Sequence, residues 1–267
     1  MPVGMTYREL KQHLRIEHLW YRNSMADWAG DANLGLVANC PIIDAGQPNP
    51  RLSTALGMPC LRVDANDQHL DTTPLAYFTY LAESTRWIIE WAGVPGQPLD
   101  ALVTPDVPLP MCLIGTAGEG TFIQLVNPGE IQVNLGNLVG SVNPGLNYYW
   151  TNDQPLHLLV FRSTFAGQPP GRNYVSVFVN GCRVELTPDS DASDGALCSP
   201  GMLFNYDPVQ DQRPFIGSHF LFRVYDYAPD MVPMDFTDGI ALLMFNRVRN
   251  AFPTLRWPIP VNWAGPG

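Results

Sequence analysis

Charge is scarce in this 267-residue sequence, where Asp, Glu, Lys and Arg together make up 15%, against about 25% in an average soluble protein. A folded surface with so few charges is largely neutral or apolar, and we expect it to face protein. Lysine is scarcer still, because the 15 basic residues are 14 arginines and Lys11. Interfaces favour arginine over lysine, but GC-rich codon usage produces the same bias, so both explanations stay open.

The familiar catalytic motifs are missing. No Gly-Lys dipeptide exists, which excludes a Walker A loop, and a single lysine removes nearly every lysine-based mechanism. The GSV at Gly140 and the GSH at Gly217 lack the second glycine of a G-x-S-x-G elbow. We therefore expect no enzymatic activity, no catalytic residue and no cofactor.

Metal-binding patterns fail on their spacing. The five cysteines contain no Cys-x-x-Cys, so neither a zinc site nor a disulfide framework is indicated, and a reducing compartment fits best. His13 and His18 would not share one face of a helix. The run DSDASDG, residues 189–195, departs from a calcium loop, because its glycine comes one position late and Pro200 replaces the last carboxylate. We expect a solvated loop there, no metal ligand, and ordinary strand or loop roles for His69, His157 and His219.

Long apolar runs are also missing. None approaches the roughly 18 residues of a membrane span, and the N-terminus lacks the apolar core of a signal peptide. No Asn-x-Ser/Thr sequon occurs. These features predict a soluble protein made in the cytosol. The net charge of −10 disfavours non-specific nucleic-acid binding by the chain as a whole, although a local basic patch remains compatible with it.

What the sequence does have is a charged, amphipathic opening. Thr6 and Glu9 have the spacing of a capping box, which predicts a helix from residue 6 to near Ile16. Its apolar face holds Tyr7, Leu10 and Leu14, and its basic residues are Arg8, Lys11 and Arg15. Three roles are open for this helix: closing one end of the fold, contacting an internal nucleic acid, or pairing with acids of an adjoining subunit.

The remaining pattern is mostly that of strands. A helix over residues 75–83 and a strand over Arg86–Trp91 are predicted from TPLAYFTYLAESTRWIIEWAG. Beyond Gly115, the dipeptide Asn180-Gly181 marks a two-residue hairpin. Strands are predicted at TFIQLVN, EIQVNLG, HLLVFRSTF, YVSVFV, CRVEL, SHFLFRVYDY and GIALLMFNRV. Eight or nine strands with long Pro/Gly connections predict an all-β, eight-stranded jelly-roll sandwich of two sheets.

A single domain with two appendages is expected. Residues 1–32 form an N-terminal helix and arm, residues 33–250 the jelly roll, and residues 251–267 an extended C-terminal tail. Pro258 and Pro260 exclude regular structure from that tail. Because the tail also carries tryptophans, we expect it to dock either on its own domain or on a neighbour.

Three segments together resemble the major capsid proteins of picorna-like (Picornavirales) RNA viruses, particularly those of arthropods. They are TYRELKQHLR, TPLAYFTYLAESTRWIIEWAG and DFTDGIALLMF, which together make up about a sixth of the chain. The glycine that usually follows the Trp/Arg pair is missing, and Arg247-Val248-Arg249 stands where the family tends to end in Gly and Pro. The resemblance implies a non-enzymatic subunit, cut from a polyprotein in the host cytoplasm.

In such a virion the subunit packs with sister capsid proteins and with copies of itself into an icosahedral shell around single-stranded RNA. The resemblance leaves the host receptor undefined.

A different class of function remains as the alternative. In a jelly-roll carbohydrate-binding, lectin-like module, exposed tryptophans stack on sugars, and the candidates are Trp150, Trp257 and Trp263. A β-sandwich enzyme of unrecognised type is the third reading, and it requires a pocket that gathers shifted titratable groups.

Overall fold

The computed structural model describes sixteen stretches of the chain. They are residues 6–24, 42–43, 51–63, 70–71, 87–95, 111–116, 119–126, 130–135, 138–142, 154–164, 173–184, 187–188, 202–203, 213–214, 217–226 and 238–258. The predicted helix over residues 75–83 lies outside them.

Strands dominate the described residues. The described stretches contain two α-helices, α1 (Tyr7–Lys11) and α2 (Asp238–Ala251), and a 3-10 turn at Trp20–Arg22. The strands are β1 (Leu14–Leu19), β2 (Ile42–Ile43), β3 (Arg51–Ala55), β4 (Met58–Val63), β5 (Leu70–Asp71), β6 (Trp87–Pro95), β7 (Met111–Thr116), β8 (Glu119–Val126), β9 (Glu130–Leu135), β10 (Leu138–Val142), β11 (Leu156–Thr164), β12 (Asn173–Val179), β13 (Cys182–Val184), β14 (Thr187–Pro188), β15 (Met202–Leu203), β16 (Arg213–Pro214) and β17 (Gly217–Asp226).

An antiparallel sheet of eight strands organises the fold. Its order is β13-β12-β11-β6-β17-β4-β3, and β1 pairs with β17 as well. The other strands hydrogen-bond in the order β14-β10-β9-β8-β7-β15-β5-β2, with β16 parallel to β7. The mostly-β prediction is therefore confirmed, while the strand count exceeds the eight or nine expected.

Both helices cover one face of the eight-stranded sheet. Around Leu159 and Phe178 the sheet packs against Tyr7 and Leu10 of α1 and Met244 of α2. A second cluster on the same face joins Ala92 and Leu221 to Val248, Phe252 and Leu255. Residues that alternate with these on the strands, such as Ile89, Trp91 and Val160, are buried too, so the sheet is apolar on both faces.

The first helix is shorter than the sequence predicts. The capping box is present, with the Thr6 amide donating to the Glu9 carboxylate at 2.6 Å, but α1 ends at Lys11. Leu14–Leu19 is instead a strand, because pairing with β17 satisfies its backbone groups and alternation buries Ile16 and His18. This long-range pairing overrides a local helical pattern.

The predicted strand in GIALLMFNRV is wrong, since these residues belong to α2. Ile240, Ala241, Met244, Phe245 and Val248 are its buried residues, and their spacing is that of one helical face. Two exposed leucines at 242 and 243 make the run continuous in sequence and hide this periodicity.

The Asn180-Gly181 hairpin is confirmed. Both residues have positive φ, 48° and 79°, as a type I′ turn requires, and they connect β12 to β13. A Cβ on Gly181 would lie 2.9 Å from the Phe245 ring. Glycine is thus required both by the turn and by the close approach of α2.

Ala251, the first residue of the predicted tail, ends α2, whereas the other described tail residues, 252–258, are irregular as predicted and pack on their own domain. Phe252 and Leu255 are buried, and the Asn180 side-chain amide donates to the Pro258 carbonyl at 2.6 Å. Of the two predicted alternatives, docking on the chain's own domain or on a neighbour, these residues show the first.

Candidate functional site

A row of charged residues crosses the sheet under the helices. Glu17 on β1 pairs in register with Arg223 on β17, which pairs in turn with Glu90 on β6. Residues opposite one another on adjacent strands project from the same face. Arg223 accordingly bridges both acids: its Nε donates to Glu17 Oε1 at 2.8 Å and its Nη1 to Glu90 Oε2 at 3.1 Å.

Two further side chains complete the shell around the Glu90 carboxylate. His157 Nε2 on β11 lies 3.0 Å from Glu90 Oε1, and the Tyr225 hydroxyl on β17 donates to Oε2 at 3.0 Å. An ionised carboxylate can only accept, so Nε2 carries a proton. Both oxygens of Glu90, which is 1% exposed, are therefore held by donors.

The surrounding charges keep Glu90 ionised. Burial by itself raises the pKa of this carboxyl, but the Arg223 guanidinium and the His157 hydrogen bond outweigh burial and lower the pKa to about 2. Burial and the Glu90 charge raise the pKa of Tyr225 well above its usual value, so its hydroxyl stays protonated. The network is thus a fixed arrangement of one buried anion and its donors.

This arrangement supports a structural task better than a chemical one. Tyr7 of α1 is buried beside the network, and the Phe245 ring of α2 lies 5.7 Å from that of His157. A general base needs a free lone pair that a substrate can reach, and here donors hold the carboxylate beneath two helices. Among the described residues, no group of His, Cys, Asp and Glu has a geometry that could hold a metal ion.

Three histidines are buried on strands of the eight-stranded sheet, and for His157 and His219 this is the strand role that was predicted. His157 belongs to the Glu90 network, while His219 accepts a hydrogen bond at Nδ1 from Trp91 Nε1 at 3.0 Å. His18 is buried and stacks on Trp20, with ring centroids 5.6 Å apart. His69 and the acidic run 189–195 lie outside the described residues.

One tryptophan named as a sugar-stacking candidate is not exposed. Trp257 is half-buried, with its ring centroid 5.8 Å from that of Phe245 and 6.3 Å from that of Phe252. The expectation of an exposed ring is wrong at this position, because the tail packs against α2. Trp150 and Trp263 lie outside the described stretches.

The outer surface of the two helices carries a second set of charges. Arg8 and Lys11 of α1 and Arg247 and Arg249 of α2 are exposed. The Arg247 guanidinium lies 4.1 Å from the centre of the Tyr7 ring, which joins the two helices into one surface. We call this surface the basic helical face.

The sequence carried a signal for the Glu90 network that motif reasoning missed. Glu90 lies within the apolar run WIIEWAG, and Arg223 within HFLFRVY. A charge inside a strand that is apolar on both faces needs a buried partner, and each of these two is the other's partner. Pairing itself depends on strand order, which no motif records.

Known proteins resemble this chain in structure and not in sequence. No family model matches the sequence, and no curated protein matches it. The binding domain of Paraclostridial Mosquitocidal Protein 1 is similar in structure, with a TM-score of 0.59 and 13% identity over 90% of this chain and 53% of that one. The chain thus spans about half the length of that solved structure.

Domain 4 of AbnA, an extracellular arabinanase of family GH43 from Geobacillus stearothermophilus, solved in complex with arabinotriose, is also similar. Its TM-score is 0.53, with 14% identity over 87% of this chain and 98% of that domain. At such identities the likeness establishes the fold. No helix among the described residues is long and apolar enough to cross a membrane.

Proposed function

We propose that this chain is a non-catalytic β-sandwich module that binds carbohydrate. The observation that carries the proposal is the structural likeness over 87% of the chain to a domain solved with arabinotriose. The likeness to the binding domain of Paraclostridial Mosquitocidal Protein 1 supports a binding role in general. The proposal includes a sandwich in which the second set of strands covers the sheet face opposite the helices.

The buried network fits a binding module because such modules hold their ligand-binding residues on a rigid scaffold. Glu17, Arg223, Glu90 and His157 tie together four strands, β1, β17, β6 and β11. These strands are fixed beneath α1 and α2, so the network holds the sheet while ligand contacts arise elsewhere on the surface.

A glycan array probed with the folded chain tests the proposal. We expect retention of a defined class of oligosaccharide, with affinity that titration calorimetry reproduces in solution. A folded, monodisperse preparation that retains no oligosaccharide class would overturn the proposal.

The tryptophan variants locate the sugar contact. We expect Trp150→Ala or Trp263→Ala to abolish retention, while the matched Trp150→Phe and Trp263→Phe variants keep an aromatic face and hence most of the binding. Trp257→Ala is expected instead to lower stability, because this ring packs on Phe245 and Phe252. If the Ala and Phe variants bind alike, stacking at these positions is excluded.

A second proposal, an icosahedral capsid subunit, is favoured by a separate observation. Leu242 and Leu243 on α2 are 44% and 43% exposed, and an apolar pair of this kind is typical of a surface that packs against protein. Electron microscopy of the purified chain with its sister chains is then expected to show closed particles around single-stranded RNA. A monomer in every buffer contradicts it.

A further inference from the structure

The basic helical face stands out against the charge of the whole chain. Residues 6–24 and 238–258 contain seven of the 15 basic residues and three of the 25 acidic ones. Their net charge is +4. Because the whole chain has a net charge of −10, the other 227 residues together have a net charge of −14. The chain thus divides into a small cationic part and a large anionic remainder.

The acids of residues 6–24 and 238–258 are already engaged, although one of them, Glu17, lies on β1 under the helices and not on this face. Glu9 caps α1 through Thr6, and Glu17 pairs with Arg223. Asp238 accepts from Arg183 Nε at 2.7 Å. By contrast, Arg8, Lys11, Arg247 and Arg249 make no ion pair with any described residue. The positive charge of these four exposed residues is therefore not neutralised by any described acid.

Apolar side chains lie among these cations. Leu243 and Arg247 are four residues apart on α2, and Leu242 and Arg249 are seven apart. Each leucine therefore lies on the same flank of the helix as one arginine, and the two pairs lie on opposite flanks of its exposed side. The helix thus presents two exposed leucines flanked by two arginines. Arginines beside exposed apolar side chains are typical of a protein interface, and although Lys11 also lies on this face, a surface that binds phosphates does not need exposed leucines.

We propose that the basic helical face docks on the anionic remainder of a second copy of this chain. The contact is heterologous, because a cationic patch cannot face its own like without repulsion. The leucine pair supplies the apolar centre, and the arginines with Lys11 supply orientation and salt dependence. This inference is independent of carbohydrate binding and, for the capsid proposal, names the face through which copies meet.

Sedimentation velocity of the full chain tests the inference. We expect concentration-dependent association in 0.1 M salt that weakens at least tenfold in 1 M salt, where the Debye length falls from about 10 Å to about 3 Å. A chain that sediments as a monomer at both salt concentrations would overturn the inference, whether or not it binds a glycan.

Matched triple variants separate charge from fold. Arg8→Gln, Lys11→Gln and Arg249→Gln together are expected to weaken association at least tenfold. Arg8→Lys, Lys11→Arg and Arg249→Lys together keep every charge and should leave association near the native value. Circular dichroism checks that both triples fold. Equal association of the two triples would rule out the charged contact.

The leucines and the competing ligand are tested separately. Leu242→Ser with Leu243→Ser is expected to weaken association at least tenfold without loss of fold, since both side chains are already exposed. Unchanged association in this double variant contradicts the proposal. If the native chain remains monomeric but binds a single-stranded RNA homopolymer, and the glutamine triple abolishes that binding, the face is a nucleic-acid surface and the proposal fails.

Discussion

At the scale of the residue, Arg223 is the side chain on which the buried network depends. It lies between Glu17 and Glu90, and removing it leaves Glu90 as a buried anion without its cation. We expect Arg223→Met to lower the free energy of unfolding by about 3–5 kcal/mol, measured by urea denaturation. The matched variant Glu17→Gln alters a pair 12–13% exposed and should cost much less. Equal losses in the two variants would show that burial does not govern the network.

Glu90 also makes the stability of the folded chain depend on pH in the acid range. Because its pKa falls from 4.5 to about 2 on folding, the ionised form favours the folded state above the unfolded pKa. That contribution is lost as the pH falls from about 4.5 through about 2. In urea denaturation across this interval, we expect native stability to fall more steeply than that of Glu90→Gln. Parallel pH profiles would assign the acid sensitivity to other carboxyls.

Asn180 combines a turn conformation with two long-range hydrogen bonds. Its Oδ1 accepts from the His157 amide at 2.7 Å and its Nδ2 donates to the Pro258 carbonyl. Asn180→Gly keeps the positive φ but loses both bonds, and we expect a loss of roughly 1–3 kcal/mol in unfolding free energy. Tail contacts should loosen with it, seen as faster amide exchange at Leu255. Native exchange in the variant would contradict this role.

The sequence predicts the turn at Asn180-Gly181 but not the two long-range hydrogen bonds of the Asn180 side chain. The dipeptide Asn-Gly readily adopts positive φ at both residues, so these two residues alone predict the hairpin. The bonds to β11 and to the tail depend on folding partners 23 and 78 residues away, and no local pattern encodes such distances.

At the scale of the element, α2 and the β12–β13 hairpin are packed as a unit. Gly181→Ala introduces a side chain at φ +79° and 2.9 Å from Phe245, so both the turn and the helix contact are strained. We expect a loss of about 1–3 kcal/mol in unfolding free energy. Phe245→Leu with Gly181→Ala should recover part of that loss by making room. No recovery would indicate that the backbone conformation alone is responsible.

The errors in predicting the elements have a shared physical origin. The first helix was predicted to continue to near Ile16 because Leu14 extends the apolar spacing of Tyr7 and Leu10, but from Leu14 onward the chain pairs with strand β17. α2 was predicted as strand because Leu242 and Leu243 fill the polar side of its helical pattern. In both cases a contact elsewhere in this chain decides what the local pattern leaves ambiguous: β1 pairs with β17, and α2 packs on the eight-stranded sheet.

At the scale of the whole molecule, the buried ionic network and the exposed basic residues lie on opposite sides of the two helices. One face of the eight-stranded sheet, with its buried ionic network, lies under α1 and α2. The basic side chains of those helices point outward from a chain of net charge −10. The mostly-β fold follows from the sequence, whereas this division does not, since it depends on which strands meet.

Thermal unfolding of the native chain across a panel of oligosaccharides tests the proposed carbohydrate binding most directly. A ligand that binds only the folded state stabilises it by about 2.7 kcal/mol at a hundredfold excess over Kd. The account predicts that at least one class raises Tm in proportion to the logarithm of its concentration. A Tm that no oligosaccharide changes, in a chain that is folded throughout, would contradict the account.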